Sequence, residues 1–115
     1  MDIRNDHFST EAEAIAEIEA AGYWPMTLDF PPEKNGDHWH DFDAMLFVLE
    51  GELGLTESET GETCICGPGT RIVAKAGVLH REEHSGYRAV IGVSVDPATL
   101  TQPINKPPKD ASPRT

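Results

Sequence analysis

The chain has 115 residues, a length that suits one domain with a single hydrophobic core. Its 20 Asp and Glu against 9 Lys and Arg give a net charge of -11. This argues against duplex nucleic acid or an anionic membrane as a partner, because both attract basic surfaces. Residues 1–62 hold 16 acids and 2 bases, a net -14, and residues 63–115 hold 4 acids and 7 bases, a net +3. We interpret the acidic half as solvated surface, with a few carboxylates as candidates for a place beside a cation.

The cysteine content and the N-terminal residues indicate the cellular compartment. Cys64 and Cys66 are too few for a disulfide framework, and we expect both to pack in the core as small hydrophobes. The N-terminal residues lack the basic start and apolar run of a secretory signal, and no stretch is apolar over the length of a membrane span. We therefore expect a cytoplasmic protein with no membrane partner.

The first 22 residues predict a short helix. Ser9 or Thr10 can cap its start, several alanines favour the helical conformation, and Gly22 can end it. Ile15 and Ile18 are its large apolar residues, and they form only a narrow stripe. We therefore expect this helix to lie on the outside of the domain.

From Tyr23 onward, strand-like runs alternate with turns that contain Gly or Pro. Residues 23–30 predict an edge strand, since Pro25 cannot donate to a central ladder. Further strand-like runs occupy 38–56, 63–66, 71–77, 78–84 and 87–95. No segment between them is long enough for a crossover helix, so the sequence predicts an all-β barrel or sandwich.

These patterns divide the chain into an N-terminal helical extension (1–22), a barrel (23–96) and a C-terminal tail (97–115). The tail is rich in Pro, Lys, Ser and Thr with almost nothing apolar, so burial cannot offset the entropy of ordering it. We expect an extended or disordered tail, with contact at Ile104 to the barrel or to a partner subunit as one option.

Four of the five histidines fall in two short clusters. Because strand side chains alternate, His38 and His40 should share one face. The same alternation gives His80, Glu82 and His84 a common face. Two imidazoles on one strand, completed by a third from another, can hold zinc, iron, nickel, copper or, with a carboxylate, manganese.

At these residues the chain resembles the cupin superfamily, and its small single-domain microbial members in particular. The positions that match the two family motifs are His38, His40 and Gly51, then Gly69, Gly77 and His80. The resemblance implies a cupin β-barrel of two antiparallel sheets (a double-stranded β-helix or jelly roll), a small-molecule ligand inside it, and a homodimer. The departures from the motifs are Pro32 for Gly, Lys75 for Pro, His84 for Asn and Ala44 for the metal-binding Glu.

Ala44 cannot coordinate a metal, so the resemblance implies a site of the three motif histidines with open positions. Glu82 is the first candidate for an additional ligand, because it should point inward as His80 does. A buried carboxylate also needs a partner, which a cation would provide. Asp43 is the second candidate, since an Asp precedes the lost Glu position in a branch of small cupins. Without a metal, the histidines would hydrogen-bond to one another and to Glu82.

The run that follows His40 has two apolar faces. The face expected to line a pocket beside the metal carries Phe42, Leu46 and Val48. The opposite face must pack on the other sheet, on the N-terminal helix or on a second subunit, and it carries Met45, Phe47 and Leu49. We expect Trp39 to point away from the metal as a packing residue, and Arg88 to point outward into solvent.

Two classes of function remain open. A small metalloenzyme, dioxygenase- or isomerase-like, would polarise a carbonyl or enediol, or bind dioxygen on iron, with Glu82 or His84 as general acid or base. A non-catalytic cupin would bind or sense a small ligand and hold a structural metal or none, which the alanine at position 44 favours. Exchangeable water on the metal favours the enzyme, and a closed protein shell favours the structural site.

Overall fold

The computed structural model describes residues 1–100 and 103–108. Its elements are β1 (Asp2–Arg4), α1 (Glu11–Ala20), β2 (Trp24–Phe30), β3 (Glu33–Lys34), β4 (Ala44–Gly51), β5 (Leu53–Glu57), β6 (Glu62–Cys66), β7 (Arg71–Ala74), β8 (His80–His84), β9 (Tyr87–Val93) and a 3-10 turn (Pro97–Thr99). The strands form two antiparallel sheets, ordered β1-β7-β4-β9-β2 and β3-β8-β5-β6. The all-β barrel with a short N-terminal helix is confirmed.

The core between the two sheets consists of every second residue of the facing strands, as the pleat requires. Its buried members are Val48, Leu53, Leu55, Cys66, Ile72, Tyr87 and Ala89, with Leu46 partly buried against them. Phe42 is also buried. The inward face predicted for Phe42, Leu46 and Val48 is therefore confirmed, and β2 lies at a sheet edge as its proline indicates.

The other face of β4 lies under α1. Met45 and Phe47 are buried there with Ala14 and Ile18 of the helix, and Leu49 packs partly buried against them. Of the three coverings that the sequence allows, the structure has the N-terminal helix. The polar side of α1 stays in water, so a narrow apolar stripe is sufficient.

The start of α1 is held by a capping box. The Thr10 Oγ1 accepts a hydrogen bond from the Glu13 backbone N–H at 3.1 Å, and the Glu13 carboxylate accepts one from the Thr10 backbone N–H at 2.9 Å. Thr10 is thus the N-cap, one of the two residues that the sequence offered. No helix in residues 1–100 and 103–108 is long and apolar enough to cross a membrane.

One glycine of the motifs has a clear structural cause. Gly51 has a φ of +81° at the turn from β4 to β5, and a Cβ there would lie 2.7 Å from the carbonyl oxygen of Gly86. Any other residue would combine a left-handed backbone with a clash. The turn between β4 and β5 therefore explains why this motif position is a glycine.

The prediction that both cysteines are core residues is wrong for Cys64. Cys66 is fully buried opposite Leu53, but Cys64 is exposed. The two cysteines differ in their position along β6: Cys66 packs in the core cluster with Leu53, whereas Cys64 borders a surface cleft of about 470 Å³ that Met1 and Ile3 also line. Burial raises the pKa of the Cys66 thiol to about 11, which keeps it unreactive.

Arg88 points outward, as predicted. Its guanidinium donates to both carboxylate oxygens of Asp29 on the neighbouring β2, at 3.0 and 2.9 Å. This exposed pair lies on the outer surface, so Arg88 is not available to bind an anionic substrate inside the barrel.

Candidate metal centre

The structure brings three of the predicted residues together, His38, His40 and His80. One ring nitrogen of each lies within 4.8 Å of the others, and the ring centroids are 4.3 to 5.1 Å apart. His38 and His80 are buried and His40 is half-buried. Among the residues that the structure describes, no other group of three or more His, Cys, Asp or Glu side chains has this geometry.

The backbone fixes the relative positions of these histidines. The N–H of His38 donates to the carbonyl of His80 at 2.8 Å, and the N–H of His80 donates back to His38 at 2.9 Å. The N–H of Gly77 donates to the His40 carbonyl at 2.9 Å. The segment around His38 and His40 is extended and pairs only through isolated bridges, and β4 begins later, at Ala44. Alternation nevertheless gives both imidazoles one side.

All three imidazoles use Nδ1 to donate to a backbone carbonyl. The acceptors are Gly36 for His38 at 2.8 Å, Ile104 for His40 at 3.0 Å and Val78 for His80 at 2.9 Å. Because a carbonyl oxygen only accepts, each Nδ1 carries a proton, and each ring, when neutral, has its lone pair on Nε2. This is the arrangement by which proteins orient metal-binding histidines.

The surroundings of the His38 Nε2 atom test whether a metal ion would fit between the three histidines. This atom is buried and has no hydrogen-bond partner, and the nearest carboxylate oxygen, Oε1 of Glu82, is 3.4 Å away. A buried nitrogen without a partner is costly, and a metal on the lone pair would remove that cost. Three neutral imidazoles with a carboxylate beside them suit zinc, iron, nickel or manganese. The residues present therefore fit a divalent metal.

The pKa shifts of His40 and His80 also favour metal binding. Burial lowers the pKa of both His40 and His80, which favours the neutral form that binds metals. Burial acts in the same direction on His38, but Glu82 and the Gly36 carbonyl outweigh it and raise the pKa of that imidazole. In the absence of a metal, a proton on His38 would therefore take the place beside the Glu82 carboxylate.

Glu82 is held in place by a residue that the sequence analysis did not identify, Asn35. The Asn35 side chain donates to Glu82 Oε1 at 3.0 Å and accepts from the Glu82 backbone N–H at 2.7 Å. Burial opposes ionisation, but His38 and Asn35 outweigh it and lower the pKa of Glu82 to about 2. Glu82 is therefore a fixed carboxylate at neutral pH.

The other two candidates lie outside the histidine group. The carboxylate of Asp43 accepts a hydrogen bond from the Ala76 backbone N–H at 2.8 Å. His84 is four residues beyond His80 on β8, which separates their Cα atoms by about 13 Å at 3.3 Å per residue. Its Nδ1 accepts from the Gly86 N–H at 3.1 Å.

A surface groove of about 810 Å³ reaches the edge of this site. Glu82 and His84 line it, together with Gly54, Thr63 and Ile65 on the four-stranded sheet, whereas the three clustered histidines do not. Ile65 is 64% exposed there. The groove therefore borders the carboxylate side of the site.

Three convergent imidazoles in a small barrel of two antiparallel sheets form a candidate metal centre. Residues 26–95 match the protein family described as the Cupin domain. The chain therefore belongs to the cupin family, as the resemblance of its motifs indicates. Its three histidines are positioned to bind a metal ion.

Three known proteins are similar to this chain, one in sequence and two in fold. A gentisate 1,2-dioxygenase from a Ralstonia species is 32% identical over 79 residues, 69% of this chain, but the chain spans only 22% of that protein. The solved polyketide cyclase of Streptomyces resistomycificus is 24% identical over 65% of this chain and 56% of its own, with a TM-score of 0.54. A DUF861 family protein of Thermotoga maritima is 16% identical over 78% of this chain and 94% of its own, with a TM-score of 0.56. Identities this low in the two structures show the fold alone.

Proposed function

We propose that this cupin is a metalloenzyme that acts on a small organic molecule bound in the barrel, with dioxygenase chemistry as the first candidate. The observation that carries this is the set of three Nε2 lone pairs, each fixed by a carbonyl on Nδ1. The position of a usual fourth ligand is Ala44, so such a site keeps room for a substrate. The similarity to the Ralstonia gentisate dioxygenase supports the choice of reaction class.

Each side chain has a distinct role in this proposal. His38, His40 and His80 hold the metal ion, which supplies Lewis acidity or, as iron, redox chemistry with dioxygen. Glu82 is ionised and held by Asn35, so it can accept a hydrogen bond from a substrate hydroxyl and orient that group beside the site.

Two further side chains shape this site. The ring of Phe42 stacks on His40 at a centroid distance of 5.1 Å and forms an apolar wall. His84, further along β8, is a second candidate for proton transfer, towards the groove rim. Asp43 remains the second carboxylate candidate for the metal, although its carboxylate contacts the Ala76 backbone.

Metal loading followed by a dioxygen assay tests the proposal. The protein is loaded separately with Fe²⁺, Zn²⁺, Ni²⁺ and Mn²⁺, desalted and analysed for bound metal, and about one ion per chain is expected. The iron form is then mixed with gentisate and related dihydroxy aromatic acids in an oxygen electrode. We expect dioxygen uptake with at least one of these acids, and uptake about 10- to 100-fold slower in Glu82→Gln, since a hydrogen bond to a charged group contributes about that factor.

The metal analysis tests the metal site, and the dioxygen assay tests the reaction class. A wild-type chain that retains none of the four ions contradicts the metal site itself. A chain that retains iron but consumes no dioxygen with these acids contradicts the dioxygenase. Glu82→Gln must still bind the metal, so that its slower uptake reports on the lost carboxylate and not on the loss of iron.

A non-catalytic ligand-binding or sensing cupin is the second candidate, and Ala44 is the observation that favours it. A protein that has lost a usual ligand can keep the metal for structure alone. In that case water relaxation of the Mn²⁺ form would show no exchangeable water on the ion, and ligands would stabilise the fold without turnover.

We also propose a cytoplasmic homodimer. The exposed thiol of Cys64 is compatible with a reducing compartment. Trp24 and Leu28 are 44% and 40% exposed on β2, at the edge of the five-stranded sheet, and a second copy would cover them. Sedimentation velocity should give a dimer for the wild type and a monomer for Leu28→Arg. A monomeric wild type contradicts the dimer.

A further inference from the structure

We propose that residues 103–108, here called the C-terminal strap, position His40 for the metal, so that docking of the strap and binding of the metal stabilise each other. This inference rests on the proposed metal site. It concerns a part of the chain that follows the barrel and lies far from the histidines in sequence. The contact that joins the two is the hydrogen bond from His40 Nδ1 to the Ile104 carbonyl, at 3.0 Å.

Two of the three histidines donate their Nδ1 hydrogen bond to a nearby backbone carbonyl. His38 donates to the carbonyl of Gly36 and His80 donates to that of Val78, in each case two residues earlier. The same rule would assign His40 to the carbonyl of His38. That carbonyl is already engaged, because it accepts the N–H of His80 in the bridge between the two segments, at 2.9 Å.

His40 therefore takes its acceptor from outside the barrel strands. Its partner is Ile104, 64 residues further along the chain. In this structure the His38 carbonyl pairs with His80, and the strap supplies the acceptor for His40.

The strap is docked on the segment that carries the ligands. Trp39, which lies between His38 and His40, forms a two-way backbone bridge with Lys106: its N–H donates to the Lys106 carbonyl at 3.2 Å, and the Lys106 N–H donates back at 2.8 Å. The Trp39 indole N–H also donates to the Pro107 carbonyl at 3.0 Å. The side chain of Trp39 thus holds the strap, while its two neighbours face the metal site.

This arrangement has a thermodynamic consequence. Without the Ile104 carbonyl, the His40 ring would have water as its Nδ1 partner and could rotate or adopt the other tautomer. Loss of such an outer hydrogen bond typically weakens metal binding by about 10- to 100-fold. Since coupling between two binding events is reciprocal, a bound metal should favour the docked strap by the same factor.

A pair of variants at one position isolates the docking contact. Lys106→Pro removes the N–H that donates to Trp39, whereas Lys106→Ala keeps this N–H, and both remove the same side chain. Chelator competition in the full chain with Zn²⁺ should show affinity about 10- to 100-fold lower in Lys106→Pro and within about threefold of wild type in Lys106→Ala. Urea unfolding of the metal-free proteins checks that both variants are folded.

Hydrogen exchange of the wild type provides a second measurement that needs no substitution. Saturation with Zn²⁺ should slow exchange of the Lys106 amide, by a factor similar to the affinity loss in Lys106→Pro. Equal zinc affinity in the two Lys106 variants, or Lys106 exchange that zinc does not change, overturns the strap while leaving the metal site intact. A wild type that binds no zinc overturns both proposals.

Discussion

His80→Ala should reduce the metal affinity of the full chain by more than about 100-fold, beyond the range of changes made outside the ligand shell. His80 begins β8 and is paired with His38 through both backbone hydrogen bonds, so its imidazole is held opposite that of His38. Its removal leaves two imidazoles and opens a space where the third ring lay. Competition with a chromophoric chelator, with Zn²⁺ and Ni²⁺ as probes, measures the loss.

His84→Ala is the matched control for this variant. His84 lies on the same strand and its side chain should point the same way, but it is outside the group of three. We expect its metal affinity to stay within about threefold of the wild type. If both variants bound equally, or if His80→Ala retained its full metal content, the three-histidine site would be wrong. Because His80 is buried, metal-free unfolding curves must accompany the titrations.

The ligand histidines could be predicted because strand alternation is a local rule. A spacing of two gave His38 and His40 a common face even though their segment forms no regular strand. It gave Glu82 the same side of β8 as His80, and Glu82 lies beside His38. The matches to the two cupin motifs then joined positions about forty residues apart, which alternation alone cannot do.

What escaped prediction depends on contacts between distant segments. Asn35 follows no periodic pattern, and only the pairing of its loop with β8 shows that it holds Glu82. Cys64 and Cys66 have the same alternation, but the contacts at each point along β6 decide which of them is buried: Cys66 packs in the core cluster and Cys64 borders a surface cleft. Ile104 could be singled out as an apolar residue in a polar tail. That its carbonyl, and not its side chain, would serve His40 could not be inferred from composition.

The contact between α1 and the barrel also connects distant segments, and it should have a large effect on stability. Ile18 is fully buried, and truncation to alanine should lower the free energy of unfolding by about 2–5 kcal/mol through lost burial and the space left behind. Gly92→Ala changes the same contact from the β9 side. Its Cβ would lie 2.5 Å from Ile18 Cγ2, an overlap that a buried side chain cannot avoid. We expect a loss of about 1–3 kcal/mol.

The double variant tests whether these two effects share one contact. In Ile18→Ala/Gly92→Ala the new methyl group can occupy part of the space that the isoleucine leaves, so the combined loss should be smaller than the sum by at least about 0.5 kcal/mol. Gly67→Ala is the control, since nothing lies within 4 Å of its Cβ, and it should be near neutral. Urea unfolding of the wild type and the four variants measures these effects. Strict additivity would mean that Ile18 and Gly92 act separately, and a loss of metal affinity in the folded single variants would mean that α1 does more than cover β4.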